Sequence, residues 1–399
     1  MKILFLSLLE IHSLEEHGLY SDLLRQFVTL GHFVRIVSPE PGCETRDEQR
    51  EQYAILHVST PPMQKTGMIR KGIAALQIGP RIRRALDRFC SQETYDLILM
   101  ATPPVTLAGV VEHIRQRDGA KFYLMLKDIW PQGIADLGVI TQNGWIYRYF
   151  RAKERRLYRL ADYIGCMSPA NVEYVCRHNP SIPPERVGLC PNSIEPNWEP
   201  ISQAERNAIR MEYQIPLATT VFLYGGNLGK AQDIPFLIQC LRTCSGRKDC
   251  FFVICGSGTA YGALQAFMVA ERPDNVRLIS GLPREAYERL AGACDIGMIF
   301  LDHRFTIPNF PSRLLSYLEK GMPVLCATDA ATDVGHIAEE QHFGWCCSSG
   351  EVASFQAAVE QALQEDRNAM GMAGRAYLEQ HYNAKNVCRD ILTAVERIG

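Results

Sequence analysis

The sequence predicts an α/β protein made of two doubly wound, Rossmann-like domains facing each other across a cleft. Three observations lead there. The chain has 399 residues, more than one compact core usually holds. Short β-rich apolar runs alternate with longer helical patterns, as in parallel sheets covered on both faces. The alternation pauses once, at "NSIEPNWEPISQAERNAIRMEYQIP" (192–216), a polar, proline-containing stretch with one short helical piece, which reads as a domain junction.

The first series of strands is "KILFLS" (2–7), "VRIVS" (34–38), "AILHV" (54–58), "DLILMA" (96–101), "KFYLML" (121–126), "YIGCMS" (163–168) and "VGLCP" (187–191). Helical patterns such as "LYSDLLRQFVTLG" (19–31) separate several of them. The second series is "TVFLYGG" (220–226), "CFFVICG" (250–256), "NVRLISG" (275–281), "DIGMIF" (295–300), "PVLCAT" (323–328) and "GWCCS" (344–348), followed by helical patterns over 351–365 and 384–398. The expected division is a first domain over 1–195, a linker over 196–212, a second domain over 213–380, and a helix over 381–399 packing back on the first domain. Ligands of such sheets bind beyond the carboxyl ends of the strands.

A formal net charge of -2 offers no case for nucleic acid. Basic residues gather in the first half, at 65–88 and 148–159, and the second half is net acidic. The fourteen cysteines show no Cys-x-x-Cys pair or zinc-finger spacing; most lie in apolar runs, so they read as core residues in a reducing cytoplasm, with no metal expected. The apolar start of "MKILFLSLLEIHSLEEHG" runs into Glu10, Glu15 and Glu16 without a cleavage site, so it reads as a buried strand rather than a signal peptide.

Chemistry concentrates at strand ends of the second domain. "FLYGGNLGKAQD" (222–233) is a strand, a glycine-rich turn, Lys230 and a helix start. Glycines let backbone N–H groups approach a phosphate, and lysine adds a mobile charge, although a plain strand–helix turn has the same shape. The spacing is neither a Walker A loop nor a dinucleotide fingerprint. "FFVICGSGTAY" (251–261) is a second strand ending in Gly-Ser-Gly, and the Gly-Leu-Pro loop of "SGLPREAYERLAGACDIGMIF" (280–300) offers backbone amides to the edge of a nucleobase. "NFPSRLLSYLEKGMPVL" (309–325) reads as a helix N-capped by Ser312, with Arg313 in its first turn and Gly321 and Pro323 as its stop. A helix start with an arginine, two glycine turns and a lysine suit a nucleotide diphosphate.

"YGGNLGKAQ", "GLPREAYERLAGACDIGMI" and "NFPSRLLSYLEKGMPVL", in that order, resemble the donor-binding half of GT-B glycosyltransferases of family 4. They most resemble bacterial O-antigen and capsular polysaccharide enzymes, including the N-acetyl-fucosamine transferase type. "LKDIWPQGIADLG" (126–138) and "CPNSIE" (190–195) resemble further segments of the same group.

The resemblance implies a retaining, metal-independent transferase. It would move a sugar, an N-acetylated amino or deoxy sugar, from a UDP-sugar donor to a glycan or polyprenyl-diphosphate-linked acceptor, with no cofactor beyond the donor itself. The second domain would hold the donor and the first mostly the acceptor. By similarity, Gly225, Gly226, Asn227 and Lys230 would line the donor phosphates with Gly256, opposite Asn309, Ser312, Arg313 and Ser316. Leu282 and Pro283 would border the base, and His17 and Gly18 would approach from the first domain. Lys230, Arg313 and Asp128 are the expected catalytic groups, with a turn-capping role as the alternative for Asp128. Many family members carry two glutamates eight positions apart in this region; here Pro308 and Ser316 occupy those positions, and Glu319 lies one turn on. A catalytically silent partner subunit and a nucleotide-sugar epimerase are the competing readings. The cationic stretch 65–89, with Met68, Ile69, Ile73, Leu76 and Ile78, is expected to lie on anionic lipid at the inner face of the cytoplasmic membrane, or else to be a solvated helix face.

Overall fold

A computed structural model describes residues 1–61, 68–197 and 199–398, with side chains from residue 77 onward in the helix that begins at Met68. It divides into two compact units, Met1–Glu195 with Tyr382–Gly399, and Pro196–His381.

The first unit runs β1 (Lys2–Leu6), α1 (Leu19–Thr29), β2 (Phe33–Pro41), β3 (Arg46–Gln49), β4 (Tyr53–Thr60), α2 (Met68–Phe89), β5 (Leu97–Ala101) and α3 (Ala108–Asp118). It continues with β6 (Lys121–Leu126), α4 (Gln132–Asp136), α5 (Trp145–Leu160), β7 (Tyr163–Cys166), α6 (Pro169–His178) and β8 (Val187–Leu189). The sheet order is β3-β4-β2-β1-β5-β6-β7-β8, parallel except for β3. Its central strands are apolar at every position because helices cover both faces: Leu97 to Ala101 are all buried.

β3 escapes an apolar-pattern reading because Arg-Asp-Glu-Gln contains no apolar residue. Its carboxylates serve buried polar side chains instead. Asp47 and Glu93 both bond the fully buried guanidinium of Arg35, and Glu48 Oε2 lies 3.3 Å from Nε2 of buried His57. A charged strand at the sheet edge also discourages pairing with other chains.

The second unit runs α7 (Gln203–Glu212), β9 (Thr220–Asn227), α8 (Ile234–Thr243), β10 (Cys250–Ser257), α9 (Tyr261–Glu271), β11 (Val276–Ser280) and α10 (Arg284–Gly292). Then follow β12 (Ile296–Phe300), α11 (Arg313–Glu319), β13 (Val324–Thr328), α12 (Val334–Glu340), β14 (Gly344–Ser348), α13 (Val352–Gln364) and α14 (Arg367–His381). Its six parallel strands lie in the order β11-β10-β9-β12-β13-β14. The chain winds outward from β9 through β10 and β11, then returns to the other side of β9 as β12. That reversal opens a crevice at the carboxyl ends of β9 and β12.

One boundary differs from expectation. Residues 196–212 are not a free linker, because α7 is anchored by buried Arg210. Its guanidinium donates to Ala293 O at 2.8 Å and Thr219 O at 3.2 Å, and to Asp295 Oδ2 at 2.7 Å. The final helix, α15 (Ala384–Arg397), belongs to the first unit, where Val387, Cys388, Ile391 and Val395 join a core with Phe5, Leu24 and Phe27. All fourteen cysteines are free, and most are buried.

Replacing Arg210 by Met strands several buried carbonyls and leaves Asp295 with Arg206 and the Val221 N–H as its partners. We expect a loss of about 1–3 kcal/mol in urea unfolding, the cost of leaving buried polar groups unpaired. An unchanged midpoint would show that α7 is not anchored there.

Candidate functional site

β9 pairs with β10 along its whole length, from Thr220 opposite Cys250 to Asn227 opposite Ser257. With β12 it pairs only at Phe222 and Leu223. Beyond that point the two strands diverge, and Tyr317 of α11 fills the gap. Its hydroxyl accepts from the Gly225 N–H at 2.9 Å and donates to Met298 O at 3.3 Å, so one side chain closes both orphaned backbone groups. A Cβ on Gly297 would lie 2.3 Å from the Tyr317 ring, so this glycine admits the wedge.

Arg313 lies one turn before Tyr317 on the same face of α11. Its guanidinium sits 4.5 Å from the centroid of the Tyr224 ring. Nη1 is buried and has no hydrogen-bond partner among the described residues. Burial pushes the Tyr287 and Tyr317 phenols upward, so both remain neutral. The surroundings therefore hold the arginine without neutralising it.

The backbone beside Arg313 is stripped of side chains. Gly226 has φ +117°, and a Cβ there would stand 3.8 Å from the Arg313 Cζ. A Cβ on Gly225 would meet Tyr287 Oη at 1.9 Å, and one on Gly256 would meet Gly226 O at 1.9 Å. Lys230 stands exposed at the tip of the loop after β9. Gln232 stiffens this loop, its Oε1 accepting from Gly229 N at 3.1 Å and Asn227 Nδ2 at 3.2 Å. Leu228 N donates to Ser257 O and Asp302 N to Ala231 O, which lace the loops after β10 and β12 to it. An exposed lysine, a half-buried charged arginine and bare glycine backbone thus converge at the strand reversal, an arrangement for a polyanion.

Residues 20–198 match the model of Glycosyltransferase Family 4, and residues 205–377 that of Glycosyl transferases group 1. The chain belongs to the family 4 glycosyltransferases. It is 21% identical over 289 residues to a Pseudomonas aeruginosa protein named as the glycosyltransferase WbjE, covering 72% of this chain and 71% of that one. It is also 21% identical over 307 residues to an Escherichia coli K12 protein named as the colanic acid biosynthesis glycosyl transferase WcaI, covering 75% and 74%. The structure of Anabaena HepE in complex with UDP-glucose superposes with a TM-score of 0.68 at 14% identity, covering both chains completely. The fold of this glycosyltransferase is GT-B, with two Rossmann-like halves.

Several sequence-based expectations for the glycosyltransferase need correction. Ser312 does not cap α11: it lies in the helical region itself, and its side chain makes no cap bond. The reason is a tight turn, in which Leu314 N and Leu315 N are taken by the carbonyls of Pro311 and Ser312. The helix has only seven residues, so Arg313 rather than a capped helix end is what α11 brings to the site. Ser316 turns away and donates to Glu288 Oε1 at 3.4 Å. Glu319 accepts from the Asn197 N–H at 2.9 Å and lies 3.6 Å from the Lys320 amine. Pro308 is buried, and Asn309 is fastened to the loop after β13 through Thr332 Oγ1 at 3.1 Å. Pro283 precedes α10, and the Leu282 backbone reaches the Cys255 thiol at the end of β10, one strand away from Gly226.

His17, Gly18 and Asp128 lie at the carboxyl ends of the first unit's strands. His17 Nδ1 is 3.5 Å from Asp22 Oδ1, which also accepts the Gly18 N–H at 3.1 Å. The Asp128 carboxylate takes no hydrogen bond among the described residues, so the capping role has no support. Its carboxyl opens to solvent at the surface, yet protein crowds it on its other sides, and this desolvation pushes it above the usual carboxylate range against the pull of Lys127. The Lys127 amine, pushed down by burial, donates to Cys190 O at 2.9 Å and Pro191 O at 3.2 Å. Asp233, Asp302 and His303, close enough to hold a cation, are instead tied internally: Arg304 Nη2 bonds Asp302 at 2.6 Å and His303 Nδ1 lies 3.1 Å from Asp233.

Two outcomes follow. Tyr317→Phe orphans the Gly225 N–H and the Met298 carbonyl, and is expected to cost about 1–3 kcal/mol in urea unfolding; an unchanged stability would remove the wedge. A carboxyl pushed up on folding binds its proton more tightly in the native state, so Asp128 costs stability as pH rises through and above the normal aspartate range. Asp128→Asn should therefore raise the melting temperature at pH 7–8 and lose this advantage in acid; equal curves at every pH would contradict it.

Proposed function

We propose that this glycosyltransferase moves a sugar, with retention of configuration, from a UDP-sugar to a glycan or polyprenyl-diphosphate-linked acceptor in bacterial surface-polysaccharide synthesis. The observation that carries the donor side is the buried, unpaired Nη1 of Arg313 beside the bare backbone of Gly226. HepE, with the same fold, holds UDP-glucose, which supports uridine as the nucleoside. The names of WbjE and WcaI support the polysaccharide setting, and the resemblance to N-acetyl-fucosamine transferases supports an N-acetylated amino or deoxy sugar.

As the anomeric carbon gains oxocarbenium character, negative charge gathers on the departing diphosphate. Lys230 and Arg313 supply fixed positive charge where it develops, usually the largest catalytic contribution. Two cations in this role make a metal unnecessary, and turnover is expected to survive EDTA. Same-face attack guided by the leaving phosphate needs no carboxylate; attack by a protein carboxylate would assign that role to Asp128. His17 and Gly18 are proposed to approach the donor from the first half, and Asn227, Gly256, Leu282, Pro283, Asn309 and Ser312 to line its nucleotide.

No helix among the described residues is long and apolar enough to cross a membrane. We place the enzyme in the cytoplasm, where nucleotide sugars are made, touching the inner face of the membrane. The lipid contact read for 65–89 falls in part, over 65–76, outside the described side chains. Among those that are described, Ile78 is buried in the first unit, so it is not available to lipid, while Arg81, Arg83, Arg84 and Arg88 are exposed.

Thermal unfolding with UDP, GDP and ADP tests the donor reading. UDP at about 100 times its dissociation constant should add about 2.7 kcal/mol of stability, read as a raised melting temperature. Arg313→Ala and Lys230→Ala should abolish that rise. A folded protein that responds to none of the three nucleotides would end the proposal.

A further inference from the structure

Helix α5 carries Arg148, Arg151, Arg155 and Arg159, spaced by three, four and four residues, so they form one stripe along its surface. They line an open groove of about 660 Å³, completed by His178 and the chain that follows it, and no carboxylate lines it. Arg151 is already engaged, by Glu154 and by Asn179 Oδ1 at 2.8 Å. Buried Glu154 is in turn held by Tyr158 Oη at 2.8 Å. Glu112 pairs with Arg156, which lies seven residues after Tyr149 and so on the aromatic-bearing side of the helix. Arg148, Arg155 and Arg159 have no ion-pair partner among the described residues.

A second feature lies beside this stripe. Trp145 is 80% exposed and Tyr149, one turn later, 41% exposed. The Lys153 amine covers the Tyr149 ring at 5.3 Å. Tyr149 meets Phe150 edge-on at 5.2 Å, and Phe150 packs edge-on against Trp130 at 4.3 Å, so Tyr149 is anchored on one side while Trp145 stands out in water.

These features select among anions. From Arg148 to Arg159 the helix rises about 16 Å, too far for one small phosphate to satisfy the unpaired guanidiniums together. A row of cations beside a tryptophan and a tyrosine in water matches a plane of anionic headgroups, where aromatic rings sit at the polar–apolar boundary and arginines meet phosphate.

We propose that the exposed Trp145–Arg159 face of α5 docks the first unit on an anionic phospholipid surface, with Trp145 and Tyr149 seated among the headgroups. The inference does not depend on which nucleotide the second unit binds.

Flotation of the full chain with phosphatidylglycerol-containing vesicles, against pure phosphatidylcholine vesicles, tests it. Binding should need the anionic lipid and fade with added salt. The combined Arg148→Gln, Arg155→Gln and Arg159→Gln variant should bind about 100-fold more weakly, with an unchanged melting temperature and an unchanged response to UDP. Tryptophan emission should shift to the blue on vesicles in the wild type and much less in Trp145→Phe. Equal binding by the triple variant would overturn the proposal, as would binding lost only on neutralising Arg81, Arg83, Arg84 and Arg88 of α2. No flotation, with a melting temperature raised by inorganic diphosphate in the wild type and not in the triple variant, would assign the groove to a soluble phosphorylated ligand and equally overturn it.

Discussion

A parallel sheet that reverses its winding must spread neighbouring strands apart, and the separated backbones lose hydrogen bonds that water cannot restore inside a core. In the second unit that loss falls at Gly225 and Met298, and the Tyr317 hydroxyl meets both. The wedge needs Gly297 to make room for its ring, and it fixes the helix that also carries Arg313. The position of the arginine and the closure of the parted strands both rest on this one phenol.

The company that Arg313 keeps explains why its charge stays available. A carboxylate partner would hold the guanidinium firmly but cancel it. Tyr224, Tyr287 and Tyr317 surround it with neutral groups, and a ring face attracts a cation without removing its charge. Nearby acids are kept apart: Asp302 is matched by Arg304, and Asp233 uses one oxygen to cap α8 through Phe236 N. The positions of Pro308 and Ser316, acidic in many relatives by resemblance, add no negative charge. The result is a crevice whose electrostatics favour an anion before any ligand arrives.

The alternation of apolar runs was enough to locate the parallel strands, because a strand buried on both faces has nowhere to place a polar residue. It could not find β3, four polar residues of which Asp47 and Glu48 meet Arg35 and His57 from the sheet edge. The glycines and Arg313 stood out in the sequence because phosphate-binding chemistry uses few residue types. Tyr224, Tyr287, Tyr317 and Gly297 did not: their roles come from strand divergence, a property of the sheet and not of any short segment. The spacing of Arg313 and Tyr317, one helical turn, was the available signal. Ser312 misled because a capping residue type says nothing of whether the turn before it has already used the N–H groups.

The first unit is discontinuous in sequence. Residues 1–195 build its sheet, but Val387, Ile391 and Val395 of α15, which close one side of its core, come after the whole of the second unit. On the ribosome the earlier domain therefore waits with apolar surface uncovered while the later one, contiguous from 196 to 381, can complete itself first. The usual order, in which domains mature from the N-terminus onward, is inverted here. Premature release of the nascent chain before α15 emerges would leave a finished second unit joined to an unfinished first one, a natural client for chaperones.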